Sequence, residues 1–200
     1  MVNFVYLASQ SPRRRQLLEQ LGVRYELLLP DAQEDAEALE AAFENEAPAL
    51  YVKRVTGLKL DAASARLARR QLPPAPILCS DTTVALGRTI YGKPADAEHA
   101  ERMLSQLSNK THRVLTAVQV QCGARRFAAL STSRVSFEAM TGDQISRYAA
   151  SGEPLGKAGA YAIQGRMSMH VTRINGSYSG IMGLPLWETA ALLRAAGLDI

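Results

Sequence analysis

The sequence predicts an α/β protein, and three features of the chain predict it. An apolar stretch from Phe4 to Ala8 runs through a Ser-Pro turn into a segment whose Leu17, Leu18 and Leu21 share a helical face. Strand, turn and helix in that order open an α/β unit. Two long alternating stretches, Val114 to Val120 and Phe127 to Phe137, flank a turn at Cys122 and Gly123, the pattern of paired antiparallel strands. Helical patterns before and after them complete the mixture. Two hundred residues with 47% apolar composition suffice for one sizeable domain or two small lobes sharing a sheet. The chain is read as one domain over residues 1–200.

The first helix is expected to start at Ser11 and Pro12, because serine caps well and proline at the first helical position loses no hydrogen bond. It stops at Gly22. A second helix is predicted from Ala49 to Arg70, although Thr56 and Gly57 weaken its middle by up to about 1 kcal/mol in propensity. Pro73, Pro74 and Pro76 break it. Ile77 to Cys79 then form a buried strand that closes at Asp81, with Thr82 to Leu86 continuing extended to a turn at Gly87 and Arg88. Asp96 reads as the cap of a helix with Ala97, Ala100, Met103, Leu104 and Leu107 on one face. Thr141 with Gln144 reads as a capping box for a helix through Ile145 and Tyr148 that stops near Gly152. A glycine-rich stretch from Gly152 to Gly165 follows. Two strands around Met169 to Ile174, a turn at Asn175 and Gly176, and a last helix from Leu186 to Ala196 ended by Gly197 complete the chain.

No apolar run approaches the roughly 18 to 20 residues that a membrane helix needs, and the N-terminus lacks a basic segment followed by a signal-type apolar stretch. A cytoplasmic location and no membrane partner are therefore expected. The two cysteines, Cys79 and Cys122, have no ligand spacing, which argues against a disulfide framework or a thiolate zinc site. The net charge of +4 is modest, and its distribution says more than its sum. Seven carboxylates and no basic residue lie between Asp31 and Glu46, whereas Arg13 to Arg15 and the stretch from Lys53 to Arg70 are basic. That separation suits a substrate carrying phosphates and a bound cation. A nucleic-acid surface calls for a broad basic stripe with interleaved aromatics. With 6% aromatic residues, that class is disfavoured.

Arg13, Arg14 and Arg15 occupy the first turn of the first helix, where each exposed cation opposes the macrodipole by roughly 0.3 to 1 kcal/mol. An anion would relieve the misfit. Backbone N–H groups at the helix start and guanidinium forks converge on one point, which suits a phosphate chain; a solvated basic turn is the alternative. Asp81, closing a buried strand, is a reasonable base, the alternative being a turn residue bonded to backbone. His99, His112 and His170 show no ligand spacing and read as packed or exposed.

Five blocks in order carry a resemblance: LASQSPRRRQLLEQLG from Leu7, SDTTVALGRTIYGKP from Ser80, LSNKTHRVLTAV from Leu107, GEPLGKAGAYAIQG from Gly152 and INGSYSGIMGLPLWE from Ile174. Together they resemble the Maf family of nucleotide pyrophosphatases over nearly the whole chain. The resemblance implies an elongated, mixed-sheet, two-lobed α/β fold of the Maf and inosine triphosphatase-like type with a central cleft, often as a homodimer. It implies hydrolysis between the α and β phosphates of a nucleoside triphosphate with a divalent metal. Hard oxygen ligands and a phosphate substrate favour Mg²⁺ or Mn²⁺.

Residue by residue, the resemblance implies phosphate contacts at Ser9, Arg13, Arg14, Lys59 and Lys93, and a catalytic proton acceptor and metal ligand at Asp81. Arg15 is read as surface charge or a further contact. Glu34 is the candidate second metal acid, with Asp35 as rival and a solvated acidic loop as the alternative. Arg13, Thr82 and Gln164 are implied in specificity. Glutamine at 164 resembles the dTTP/UTP type, and an amide's donor and acceptor complement the O4 and N3–H edge of thymine or uracil. One methyl discriminates weakly, so both dTTP and UTP, and analogues such as 5-methyl-UTP or pseudouridine triphosphate, are expected substrates.

The chain departs from the family pattern at Gly156, where an aspartate is usual, at Thr56 and Gly57 upstream of Lys59, and at Cys79 and Ser80 before Asp81. Competing readings are a purine or 7-methyl-GTP-type pyrophosphatase, a non-catalytic cell-division regulator, or a nucleic-acid-binding module.

Overall fold

A computed structural model describes residues 4–31, 34 and 38–200. In chain order it contains β1 (Val5–Leu7), α1 (Pro12–Gln20), β2 (Tyr25–Leu27), α2 (Pro48–Arg69), β3 (Ile77–Leu86), β4 (Thr89–Tyr91), α3 (Ala97–Leu107), β5 (Thr111–Cys122), β6 (Arg125–Phe137), α4 (Gly142–Ala150), β7 (Val171–Asn175), α5 (Tyr178–Met182) and α6 (Leu186–Ala195). Among the described residues, seven strands form one mixed sheet in the order β2-β1-β3-β5-β6-β7, with β4 on β3. β1 is parallel to β2 and β3, and the remaining pairs are antiparallel. No described helix is long and apolar enough to cross a membrane.

The long hairpin β5–β6 pairs in unbroken register from Thr111↔Ser136 to Cys122↔Arg125. Successive residues of β3 alternate faces. Ile77, Cys79 and Ala85 pack against α2 through Leu60, Ala63, Val52 and Val55. Leu78 and Val84 turn to the opposite face, into the larger core with Leu104, Ile145, Met167 and Leu193. The capping box at Thr141 and Gln144 forms as read, and Asp96 accepts from the His99 backbone N–H.

Several details differ from the sequence reading. Asp81 does not close a strand; it sits in the middle of the ten-residue β3, because pairing with β5 continues from Ile77 to Ala85. β2 carried no readable period, having three residues of which one is a glutamate. Only one strand follows Met169, and the chain after Asn175 turns into α5, capped by the Ser177 hydroxyl accepting from Gly180 N. Ser11 precedes α1 in extended conformation, yet its side chain makes no capping bond; the Ser11 backbone N–H instead donates to Ser9 Oγ at 3.2 Å.

Candidate active site

One edge of β3 is interrupted. β1 pairs with it only at Ile77 and Leu78, and β4 only from Val84 to Leu86. Between those contacts the edge is open, beside the turn where the chain leaves β1 for α1. Crevices beyond the carboxyl end of a parallel strand are where α/β sheets place ligands.

Asp81 lies at this gap, 8% exposed, on the face covered by α2. Lys59 reaches down from α2 and its ammonium donates to Asp81 Oδ1 at 2.6 Å and to Glu40 Oε1 at 2.7 Å. Lys93, in the turn after β4, donates to both Glu40 oxygens at 3.0 and 2.8 Å. Burial alone would push the Glu40 carboxyl up; the two ammonium groups outweigh it and hold it below its ordinary value. Tyr51 donates to the Glu40 carbonyl at 2.9 Å, and burial, helped by Asp81 and Glu40, raises its phenol to about 12.

Thr82, the next residue along β3, points to the opposite face. Its hydroxyl is 3.0 Å from that of Thr116, which donates to Gly180 O at 2.7 Å. Arg14 threads this side: Nε donates to Gly183 O at 2.8 Å, Nη1 to Ser9 Oγ at 3.1 Å and Nη2 to Thr82 Oγ1 at 3.5 Å. Arg13 Nε donates to Met182 O at 3.3 Å. The basic first turn of α1 is thus held by carbonyls at the C-terminus of α5, the end of a helix that favours cations. Burial lowers the pKa of both guanidiniums, and Asp81 partly counters this for Arg14.

These groups line one cavity of about 490 Å³. Ser9, Arg13, Arg14, Lys59, Asp81, Thr82, Lys93 and Gln164 all contribute to its wall, so eight of the nine residues singled out from the sequence are brought together. Glu34 is not. Its carboxylate takes Arg66 Nε at 2.9 Å and Nη2 at 2.5 Å, and Arg69 Nη2 at 2.7 Å. Chiefly through the Arg66 hydrogen bonds, its carboxyl is held down at about 2. Asp35, its rival, lies outside the described residues. Arg15 is not part of the wall.

The acid that does face Asp81 is Glu40, which the sequence reading did not single out. Its signal was present only as order: Glu46 pairs with Arg54, Glu40 with Lys59, Glu34 with Arg66, and Asp31 with Arg69. The acidic stretch therefore runs antiparallel to α2, and much of the charge separation noted in the sequence is internal pairing. Lys157 also lines the wall; its ammonium donates to the Glu153 and Leu155 carbonyls at 2.5 and 3.4 Å, contacts that stand where an aspartate at 156 is absent. Thr56 and Gly57 do not break α2, which runs without interruption from Pro48 to Arg69, the buried Thr56 hydroxyl donating to Val52 O at 2.7 Å. Ser80 Oγ lies 2.9 and 3.0 Å from the Ala117 and Gly183 carbonyls, tying β3 to the turn after α5.

Residues 4–196 match the Maf-like protein family. The chain belongs to the Maf family. Among curated Maf relatives it is 71% identical to a protein of Polaromonas sp. over 99% of this chain and 98% of that one. It is 67% identical to one of Albidiferax ferrireducens over the full length of both, and 66% identical to one of Cupriavidus metallidurans over 99% of each. All three are named dTTP/UTP pyrophosphatase. Among solved structures, the Staphylococcus aureus Ham1 protein resembles this Maf chain at 11% identity and a TM-score of 0.37, over 66% of this chain and 71% of that one.

Proposed function

We infer that this chain hydrolyses dTTP and UTP to the nucleoside monophosphate and pyrophosphate. The observation that carries the reading is the shared cavity. Among the described residues lining it, Arg13, Arg14, Lys59, Lys93 and Lys157 are basic, with Arg66 already paired to Glu34, and only Glu40 and Asp81 are acidic, a surplus that matches a triphosphate. Relatives at 66 to 71% identity over nearly the whole chain, all bearing the same name, support the substrate class.

In this reading water attacks the α-phosphorus, its proton passes to Asp81, and the bond from the α-phosphorus to the bridging oxygen breaks, so that pyrophosphate leaves. Such transfers depend mainly on positioning and on neutralising charge as it develops. Lys59, already 2.6 Å from Asp81, holds the base and faces the phosphates. Lys93, Arg13, Arg14 and Ser9 neutralise and orient the chain. Gln164 offers its amide to the O4 and N3–H edge of the base, with Thr82 and Arg13 shaping the approach.

A divalent cation fits the donor set, because Asp81 and Glu40 converge on one ammonium and present hard oxygens. Among the described residues no three His, Cys, Asp or Glu side chains gather as a metal site, so phosphate oxygens would complete the shell. That suits Mg²⁺ or Mn²⁺, which commonly bind one or two carboxylates with substrate phosphates. Bound there, the ion would neutralise phosphate charge and acidify the attacking water.

The test is product identity. With Mg²⁺ or Mn²⁺ present, dTTP and UTP should give a phosphate colour only after inorganic pyrophosphatase is added. Colour without that second enzyme would refute cleavage between the α and β phosphates.

A further inference from the structure

The Gln164 carboxamide makes no hydrogen bond to any other described residue, so nothing at the side chain itself fixes how far it reaches across the cavity. Reach matters for a chemical reason. Hypoxanthine presents O6 and N1–H, the same acceptor and donor pattern as O4 and N3–H of thymine, but farther from the sugar. An amide alone cannot tell the two edges apart; the distance from the phosphate site to the wall that carries it can.

That wall is clamped. Ala162 N donates to Tyr148 Oη at 3.3 Å on one side of Gln164. On the other, Arg166 N donates to the Glu153 carboxylate at 3.1 and 3.3 Å. Tyr148 closes the ring by donating to Glu153 Oε1 at 2.9 Å. A Cβ on Gly165 would stand 2.0 Å from Glu153 Oε1, so a side chain there would have to push the carboxylate out of this ring. Just upstream, the Tyr161 hydroxyl is 2.8 Å from His112 Nε2, and the two rings and Phe137 pack edge to face. The phenols of Tyr148 and Tyr161 are both pushed up by burial.

We propose that Glu153 is a positioning residue that, through Tyr148 and the Arg166 amide, sets the depth of the base pocket and so excludes purines while admitting thymine and uracil. This rests on the reading that Gln164 faces the base. Glu153 does not line the cavity, and its carboxylate bonds Tyr148 and the Arg166 amide rather than Asp81, so its loss acts on selectivity ahead of turnover.

The experiment compares dTTP with 2′-deoxyinosine triphosphate for Glu153→Ala, Glu153→Gln, Tyr148→Phe and Gln164→Ala. Glu153→Ala should lower the dTTP preference in kcat/KM by about tenfold or more, the size expected when a pocket contact is lost. The change should lie in KM, with kcat for dTTP within about threefold. Glu153→Gln, which keeps an oxygen for the Arg166 amide, should restore part of the preference. Tyr148→Phe should lower it less than Glu153→Ala, and serves in its place should the alanine variant fail to fold. An unchanged preference in folded Glu153→Ala and Tyr148→Phe overturns the clamp, while a loss in Gln164→Ala leaves base reading by Gln164 intact. An unchanged preference in Gln164→Ala overturns that base reading, and the clamp with it.

Discussion

Asp81 and Lys59 meet at 2.6 Å on the floor of the cavity, and Asp81 is the only carboxylate of β3. Replacing it by asparagine keeps the shape and the hydrogen-bonding oxygen but removes the proton acceptor. Asp81→Asn should therefore cut kcat for dTTP by at least about a hundredfold, the lower end of what positioned proton transfer contributes. Binding of dTTP, followed by equilibrium dialysis, should persist, and near-normal turnover would remove Asp81 from the role. The two acids Glu34 and Glu40 show how residue type alone misleads. Both are glutamates of one acidic stretch, but one is spent on Arg66 and Arg69 and the other sits between Lys59 and Lys93. A six-residue offset along a segment without period separates them, and only the partner side chains tell which is which.

At the scale of the element, α2 carries the site, because Lys59 and Tyr51 both project from it toward the open edge of β3. Its middle is weaker than it needs to be. Gly57 is helical, and a Cβ there would meet only the Gln119 side chain at 3.7 Å, an ordinary contact. Gly57→Ala should stabilise the protein by roughly 0.5 to 1 kcal/mol, since glycine in a helix interior costs about that much against alanine. Thermal melting should rise by about 1 to 4 °C for a chain of this size. Activity toward dTTP should be unchanged; a lower melting temperature would mean that α2 needs the glycine for its approach to β5. The sequence reading placed α2 within one residue at each end, because a long apolar period bounded by prolines is a strong local signal. It missed β2, β4 and α5, of three, three and five residues, which are too short for a period and exist because the sheet edges and the Ser177 cap hold them.

For the whole molecule, the pH dependence of stability is set by ionisable groups that folding has removed from water. His112 is 1% exposed with Nδ1 unpartnered among the described residues, and burial lowers its pKa from 6.5 to about 4. The unfolded chain takes up the proton first, so the contribution of His112 is complete above pH 6.5, shrinks as pH falls toward 4, and is flat below that. The slope in the window is at most about 1.4 kcal/mol per pH unit. Glu34, held near 2, loses its contribution only below its ordinary value of 4.5. Urea unfolding between pH 7.5 and 4.5 should therefore show a shallower decline in His112→Phe than in the parent protein, and identical slopes would refute the assignment. The same division holds for what the chain discloses. Most elements, their caps and the ordered family blocks were legible in the residues, because helix and strand periods and capping bonds are set within a few positions of backbone. The ordered blocks also located Asp81, Lys93, Arg13, Arg14, Ser9, Thr82 and Gln164, and the wider resemblance pointed to Lys59 outside them; all eight line one cavity. Tertiary structure alone decided that Asp81 lies mid-strand beside an interrupted sheet edge, that Glu40 rather than Glu34 faces it, that α5 carbonyls hold the arginines, and that Glu153 and Tyr148 bond the backbone on either side of Gln164. Those outcomes depend on distances between segments far apart in the chain, and a charged side chain carries no mark of which distant partner will reach it.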